Sequence, residues 1–291
     1  MISITEDDRA LCAARAKDID HARVASLHFL GNYTRHLPVS IERMMENALD
    51  WEHLPYIHAS SFSAISKIAN GRWGWRAKTE LPAETPAFQV LELLVDHEQH
   101  YWATAVLSGP GEGIEIHTRA TSLASNEIEI DVRFYSSSAV PENEKGVYWE
   151  VLSAQYATLY DEDLGLMSGR EDALDNRQRW QSGEPEERDI LVGTVETLSQ
   201  QARTVVDTAT GRFCVRQHRG KWIVHSAVCS HLLGPLDDAS VNSEGIVTCP
   251  WHGYSFSIET GESVGGKCKA LAKPPLLREA QGNLYLVFSR Q

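Results

Sequence analysis

The sequence predicts an α+β protein of two domains. Its 291 residues exceed the usual size of one domain. Between residues 73 and 135, short runs alternate apolar and polar side chains and are separated by turn residues, which is typical of half-exposed antiparallel strands. The charge is uneven: residues 190–291 carry ten Lys and Arg against eight Asp and Glu, and residues 1–189 carry seventeen against thirty-two. We therefore expect one domain over residues 1–180, a charged linker over 181–189, and a second domain over 190–291.

Helices are expected at both ends of the N-terminal domain. Residues 5–30 contain neither Pro nor Gly and space apolar side chains as a helix does, and Pro38 is expected to start a second helix. A closing helix is expected from about Gln155 towards Arg177. Six runs between the second helix and the closing helix are expected as strands: Trp73–Lys78, Ala87–Val95, Tyr101–Leu107, Gly113–Ala120, Glu127–Tyr135 and Val147–Ser153.

Two pairs of Cys and His residues stand out in the C-terminal part. The first pair is Cys229 and His231, and after seventeen residues comes the second pair, Cys249 and His252. Each pair mixes a thiolate with an imidazole, so the four side chains can hold a two-iron, two-sulfur cluster with both cysteines on one iron and both histidines on the other. A Cys2His2 zinc site uses the same ligand types, but zinc fingers group the cysteines together and the histidines together.

This spacing resembles that of a Rieske centre. The flanking segments, residues 245–250 and 256–261, resemble the Rieske-domain strands on either side of the second ligand loop. The resemblance covers roughly residues 190–291. It implies an all-β Rieske domain in which the two Cys-His pairs bind a [2Fe-2S] cluster.

A second candidate metal site follows the second helix. Asp50 and His53 are three residues apart and would share one face of a helix. His53 and His58 are five apart, about 140° around a straight helix, so they converge only if the backbone turns between them. Pro55 is expected to supply that turn, because it cannot continue the hydrogen-bond ladder. Two histidines and a carboxylate, with coordination positions left open, are the ligand set of non-haem iron(II) oxygenases.

The segment from Glu46 to His58 resembles the iron-binding segment of Rieske non-haem iron oxygenases of the ring-hydroxylating α-subunit type. The resemblance implies that His53 and His58 bind a mononuclear iron(II). It also implies that Asp50 passes electrons from a Rieske histidine of a neighbouring subunit. Asn47 occupies a position where that family often has an asparagine near the iron, and packing within the helix is the alternative role.

The same resemblance implies a helix-grip (START-like) catalytic domain whose closing helix carries the third iron ligand. Asp163, within Glu162-Asp163-Leu164, is the best match, and Asp161 is the alternative. A solvated helix face is the other interpretation of this acidic stretch. Aromatic side chains near the ligand segment suggest a pocket for a small apolar or aromatic substrate, although core packing would explain them too: Tyr56, Phe62, Trp73 and Trp75.

Taken as a whole, the resemblance implies an oxygenase that uses O2 and electrons from a separate NAD(P)H-dependent reductase or ferredoxin. No Gly-x-Gly-x-x-Gly unit indicates a nicotinamide or flavin site in this chain. Hydroxylation is the expected reaction, although demethylation, dihydroxylation and desaturation use the same ligands. The family places its cluster domain first, so the order here indicates a circular permutation of the homotrimeric family pattern. The alternative function is a Rieske ferredoxin-like electron carrier fused to a non-catalytic ligand-binding domain.

Other functions are disfavoured by composition. The net charge of −13 argues against a nucleic-acid partner. The acidic N-terminus does not resemble a signal peptide, and the apolar runs are too short to span a bilayer. The other three cysteines are scattered, which favours reduced thiols and a cytoplasmic location: Cys12, Cys214 and Cys268.

Overall fold

The computed structural model describes residues 2–182 and 189–288. The chain forms two compact units, Met1–Ser168 and Gly169–Gln291. The long helix that ends the first unit continues into the second as far as Ser182. Most of the linker expected over 181–189 lies outside the described residues. Among the helices of the described residues, none is long and apolar enough to cross a membrane.

The first unit is a curved antiparallel sheet with a long helix against one face. Its seven strands lie in the order β1-β7-β6-β5-β4-β3-β2, and all neighbouring pairs are antiparallel. The arrangement confirms the predicted helix-grip fold. The elements of this unit are α1 (Glu6–Ala13), β1 (His28–Leu37), α2 (Ile41–Leu49), α3 (Leu54–Ile57), β2 (Ala64–Gly71), β3 (Gly74–Leu81), β4 (Ala87–Asp96), β5 (Tyr101–Ser108), β6 (Ile114–Ala124), β7 (Glu127–Ser136) and the beginning of α4 (Glu142–Ser182).

The core of this unit lies between the inner face of the sheet and α4. Side chains alternate along each strand, so Trp75 and Ala77 of β3 face the core together with Leu91 and Leu93 of β4. From α4, Tyr160 and Met167 pack into the same cluster and are at most 4% exposed. The long helix therefore buries one stripe of its surface against the sheet.

Two expected elements are wrong. The helix expected over 5–30 ends at Ala13, and β1 begins at His28 because the chain there pairs with β7 at the edge of the sheet. The strand expected over Val147–Ser153 belongs to α4. Its β-branched and aromatic residues favour a strand locally, but tertiary contacts decide otherwise. The indole of Trp149, for example, donates a 2.9 Å hydrogen bond to the carbonyl of Asn32 in β1.

The N-terminal segment is held on the outer face of the sheet by buried ion pairs. Glu92 is 1% exposed and accepts bonds from Arg76 Nε at 2.6 Å and from Arg15 at 2.7 Å. Arg76 also donates to the carbonyl of Cys12 at 3.1 Å. A buried carboxylate is tolerated only when it is paired, so these arginines couple the N-terminal segment to the sheet.

The second unit is built mainly from short strands, as expected of an all-β domain. They form three small antiparallel sheets in the orders β11-β10-β9, β12-β13 and β14-β15-β8. Its elements after α4 are β8 (Ile190–Thr194), the one-turn helix α5 (Val195–Leu198), β9 (Thr204–Thr208), β10 (Gly211–His218), β11 (Lys221–Ser226), β12 (Ile246–Thr248), β13 (Ser255–Ser257), β14 (Leu276–Ala280) and β15 (Asn283–Val287).

Removing Arg76 should destabilise the first unit. In Arg76→Ala, Glu92 keeps only the half-exposed Arg15 as a partner, so we expect a loss of about 3 kcal/mol of unfolding free energy. Urea unfolding of the full chain followed by circular dichroism measures this loss. Arg72→Ala removes an exposed arginine and should change stability little. Equal stability of the two variants would contradict the role given to Arg76.

Candidate metal centres

Two loops of the second unit carry the Cys and His residues found in the sequence. In the first loop, the amide of Cys229 donates to the carbonyl of Gly234 at 2.8 Å. In the second loop, the amide of Cys249 donates to the carbonyl of Tyr254 at 2.8 Å, and β12 and β13 pair on either side. Both cysteines therefore sit at the start of a tight turn whose shape is set by backbone hydrogen bonds.

The two loops bring their side chains together in like pairs. The thiols of Cys229 and Cys249 are each 1% exposed and contact each other. Their mutual hydrogen bond raises the pKa of Cys229 and lowers the pKa of Cys249, so the pair gives up its first proton easily. The imidazoles of His231 and His252 meet nearly at right angles, with ring centroids 4.8 Å apart. Two sulfurs on one side and two imidazoles on the other are the donor set of an asymmetric two-iron cluster.

Gly234 allows this close packing. A Cβ atom at this position would lie 2.7 Å from Sγ of Cys249 and 3.0 Å from the ring of Trp251. The sulfur therefore packs directly against backbone, where no side chain fits. This close contact between the first loop and the sulfur fits a cluster held by cysteine thiolates.

In the first unit, His53, His58 and Asp163 converge on one buried point. The Nε2 atoms of the two histidines are 3.2 Å apart. Oδ1 of Asp163 lies 3.5 Å from Nε2 of His53 and 3.1 Å from Nε2 of His58. Bonds of about 2.1 Å to one metal ion would give these separations at ligand–metal–ligand angles of roughly 95° to 115°. The structure thus brings Asp163 next to two histidines that lie more than 100 residues earlier in the sequence.

The backbone reversal that makes the histidines converge differs from the expected one. Helix α2 ends at Leu49, and Asp50 leaves helical geometry with φ −86° and ψ 81°. His53 ends a short 3₁₀ turn, and His58 follows the single turn of α3. Pro55 lies in the first turn of α3, where its missing N–H costs nothing. Between the two histidines the chain stays helical from His53 to Ile57 and leaves helical geometry at His58, with φ −106° and ψ 46°. Pro55 therefore lies within α3 and does not end a helix.

A carboxylate lies beside the Nδ1 atom of each imidazole. Nδ1 of His58 donates to Glu162 at 2.8 Å, which leaves the lone pair of the neutral ring on Nε2. Oδ2 of Asp50 lies 3.6 Å from Nδ1 of His53, so it stands beside that ring at longer than hydrogen-bond distance. Glu162 is a site residue that the sequence prediction missed. Its position next to Asp163 was the available signal, since consecutive helical residues can flank one buried histidine.

The arrangement of charges and lone pairs in this cluster favours a bound cation. With the proton of His58 on Nδ1, lone pairs of Nε2 and of Asp163 Oδ1 face each other at 3.1 Å and repel unless a proton or a metal ion lies between them. Burial lowers the pKa of His58, but Asp163 and Glu162 more than reverse this effect, so the pKa is raised. Oδ1 of Asp163 accepts no hydrogen bond from the described residues. The residues therefore fit a divalent metal.

Asp161, the alternative third ligand, lies elsewhere. Its side chain is 65% exposed and pairs with Arg35 at 2.6 Å. Asp163 is buried and belongs to the cluster. Two residues along a helix are about 200° apart, so the two carboxylates face opposite sides of α4.

A cavity of about 120 Å³ opens beside the three ligands. Asn47 lines it and is 6% exposed. Of the four aromatic residues named from the sequence, only Phe62 and Trp75 line the cavity. Tyr56 is half exposed, and the ring of Trp73 lies under the guanidinium of Arg76 instead. The wall also contains residues that the sequence prediction missed, among them Met44, Leu91, Leu93, Trp102, Thr104, Tyr156 and Tyr160.

Gly234→Ala should prevent cluster assembly, because the new Cβ would overlap Sγ of Cys249. Acid-labile sulfide and visible absorbance of the full chain measure the loss. Gly220→Ala is the matched control: it strains a backbone with φ 76° but meets open space, so it should keep its cluster. Full sulfide content in both variants would contradict the packing argument.

Glu162→Gln should weaken iron(II) binding at the first-unit site by about 10- to 100-fold, because the neutral amide no longer fixes the ring of His58 as a carboxylate does. Anaerobic competition with a chelator measures the affinity. The neighbouring Asp161→Asn should bind iron as the unmodified chain does. The assignment would be wrong if Asp161→Asn weakened binding and Glu162→Gln did not.

Known proteins resemble the two parts of this chain separately. The model of the Rieske [2Fe-2S] domain matches residues 189–275. A Rieske domain-containing protein of Homo sapiens is 25% identical over 87 residues, which are 28% of this chain and 55% of that protein. The chain thus spans about half the length of this relative.

Two solved structures are each similar to one part of the chain. The ferredoxin of carbazole 1,9a-dioxygenase from Nocardioides aromaticivorans IC177 is 20% identical, with a TM-score of 0.32 over 35% of this chain and 98% of that chain. A START superfamily protein from Mycobacterium smegmatis is 13% identical, with a TM-score of 0.38 over 47% of this chain and 97% of that one. The family model and the order of the strands together show an N-terminal helix-grip unit followed by a C-terminal Rieske [2Fe-2S] domain.

Proposed function

We propose that this chain is the oxygenase component of a Rieske non-haem iron system and oxidises a small apolar or aromatic substrate, most simply by hydroxylation. One observation carries the proposal. His53, His58 and Asp163 converge beside a cavity in a chain that also contains a Rieske domain. An electron-transfer domain and a buried two-histidine, one-carboxylate site are the two parts that such chemistry requires.

Each residue of the first-unit site has a distinct task. His53, His58 and Asp163 would hold iron(II), which supplies open coordination positions for O2 when it is bound. Glu162 holds the Nδ1 proton of His58 and keeps the other ring nitrogen directed at the site. Asp50 stands beside Nδ1 of His53, and the resemblance assigns it the transfer of electrons from a Rieske histidine.

The cavity would position the substrate and exclude water. Its walls are mostly apolar, and its volume of about 120 Å³ approaches the roughly 150 Å³ cavity that is known to take up benzene. A single-ring substrate fits this space beside the iron ligands. A substrate in this cavity would have its reactive carbon next to the metal, and the reaction would depend on which substrate is bound.

Electrons would reach the Rieske domain one at a time from a separate NAD(P)H-dependent reductase or ferredoxin. The domain accepts and passes single electrons through its cluster. We also propose the homotrimer and the cytoplasmic location that the resemblance implies, with a reversed domain order. The domain limits 1–180 and 190–291 remain part of the same proposal.

Iron and acid-labile sulfide counts on anaerobically purified protein test this function. We expect about three irons and two sulfides per chain, and about two irons with unchanged sulfide in His53→Ala. Two irons in both proteins, with no third iron bound on reconstitution, would leave only the alternative of an electron carrier fused to a ligand-binding domain.

Asp50→Ala tests the electron path. The variant should keep both metal centres, since Asp50 is not among the three converging ligands, and should lose product formation. Metal analysis and product assay on the same preparation measure both effects. Normal turnover in Asp50→Ala would show that electrons do not need this carboxylate.

A further inference from the structure

The cavity contains a polar group that nothing in the described residues satisfies. Oδ1 of Asn47 is buried and has no hydrogen-bond partner among them. The whole residue is 6% exposed, and it lines the cavity from α2. An unpaired buried amide oxygen is unfavourable for folding, and a hydrogen-bond donor that enters the cavity would offset this cost.

The rest of the cavity wall contains few other hydrogen-bonding groups. Apart from the ligand cluster and Asp50, the hydroxyl and amide side chains that line the cavity are those of Asn47, Thr104, Tyr156 and Tyr160. Burial raises the pKa of Tyr156 more than its hydrogen bond with Thr104 lowers it, so the phenol stays neutral. Burial also raises the pKa of Tyr160. Of these four side chains, only Asn47 has a buried polar atom without a hydrogen-bond partner among the described residues.

The amide of Asn47 restricts which chemical groups of a ligand it can bind. Its oxygen accepts a hydrogen bond, and its NH2 group donates one if the amide is turned around. A hydroxyl group can serve either orientation, because it is both donor and acceptor. A methyl group of the same size can serve neither. The remaining space is apolar and holds about one ring.

We propose that Asn47 binds a hydroxyl substituent of the substrate, and that the substrate class is a single aromatic ring carrying a hydroxyl group rather than a hydrocarbon. This inference rests on the proposed function, because it concerns the same cavity. It assigns Asn47 to substrate recognition, whereas helix packing or proximity to the iron are the roles expected from the sequence.

Phenol and toluene form a matched pair of probes, since they differ only by hydroxyl for methyl. Their dissociation constants would be measured by ligand-observed NMR on full-length, metal-loaded protein without O2, so that no turnover occurs. The preference for phenol over toluene is compared between the unmodified chain and Asn47→Leu, which replaces the amide with an apolar side chain of similar size. Asn70→Leu, at an exposed position of β2, is the control.

The preference for phenol should fall about tenfold in Asn47→Leu and stay unchanged in Asn70→Leu. If Asn47→Leu does not fold, Asn47→Ala provides the same comparison. An unchanged preference in the Asn47 variant would overturn the inference. So would a variant that loses iron while keeping its preference, because Asn47 would then serve the metal rather than the substrate.

The binding role of Asn47 and the oxygenase function can be disproved independently. The oxygenase proposal depends on the third iron, which the His53→Ala count measures. The phenol preference depends only on binding in the cavity. A chain without a third iron could therefore still prefer phenol through Asn47, and a chain with the third iron could show no such preference.

Discussion

The first unit depends on charge balance at one buried point. Two imidazoles and the carboxylates of Glu162 and Asp163 meet where water is scarce, and unpaired charge there is strongly destabilising. Two carboxylates together balance a divalent cation, and the lone pairs that face each other across about 3 Å require a positive charge between them. A metal ion bound at this point would thus contribute to the stability of this interior as well as to its chemistry.

One face of α4 contributes to several features around that point. Tyr156, Tyr160, Asp163 and Met167 follow one another at spacings of four, three and four residues, so all four face the sheet from α4. The same stripe forms a cavity wall, a candidate metal ligand and part of the core. The two histidines lie at the end of the 3₁₀ turn and directly after the one-turn helix α3. Rigid elements rather than long loops therefore hold the candidate site, which favours a fixed geometry.

Local spacing predicted the Rieske domain, because the two Cys-His pairs lie within two short hairpin loops. In the first unit, spacing indicated the two histidines, but Asp163 could be anticipated only through resemblance, since it joins them by tertiary packing. Trp102 and Tyr156 were missed for the same reason: no spacing in the sequence shows which side of a strand or helix will face a cavity. Strand β1 was missed because its pairing with β7 joins residues about a hundred positions apart.

The most direct test is anomalous X-ray scattering from crystals of anaerobically purified protein, recorded on both sides of the iron and zinc absorption edges. We expect an iron peak between the Nε2 atoms of His53 and His58 and Oδ1 of Asp163, together with a two-iron peak between the loops of Cys229 and Cys249. A zinc signal at the first position, or none in protein supplied with iron(II), would contradict an oxygenase and leave a Rieske electron carrier.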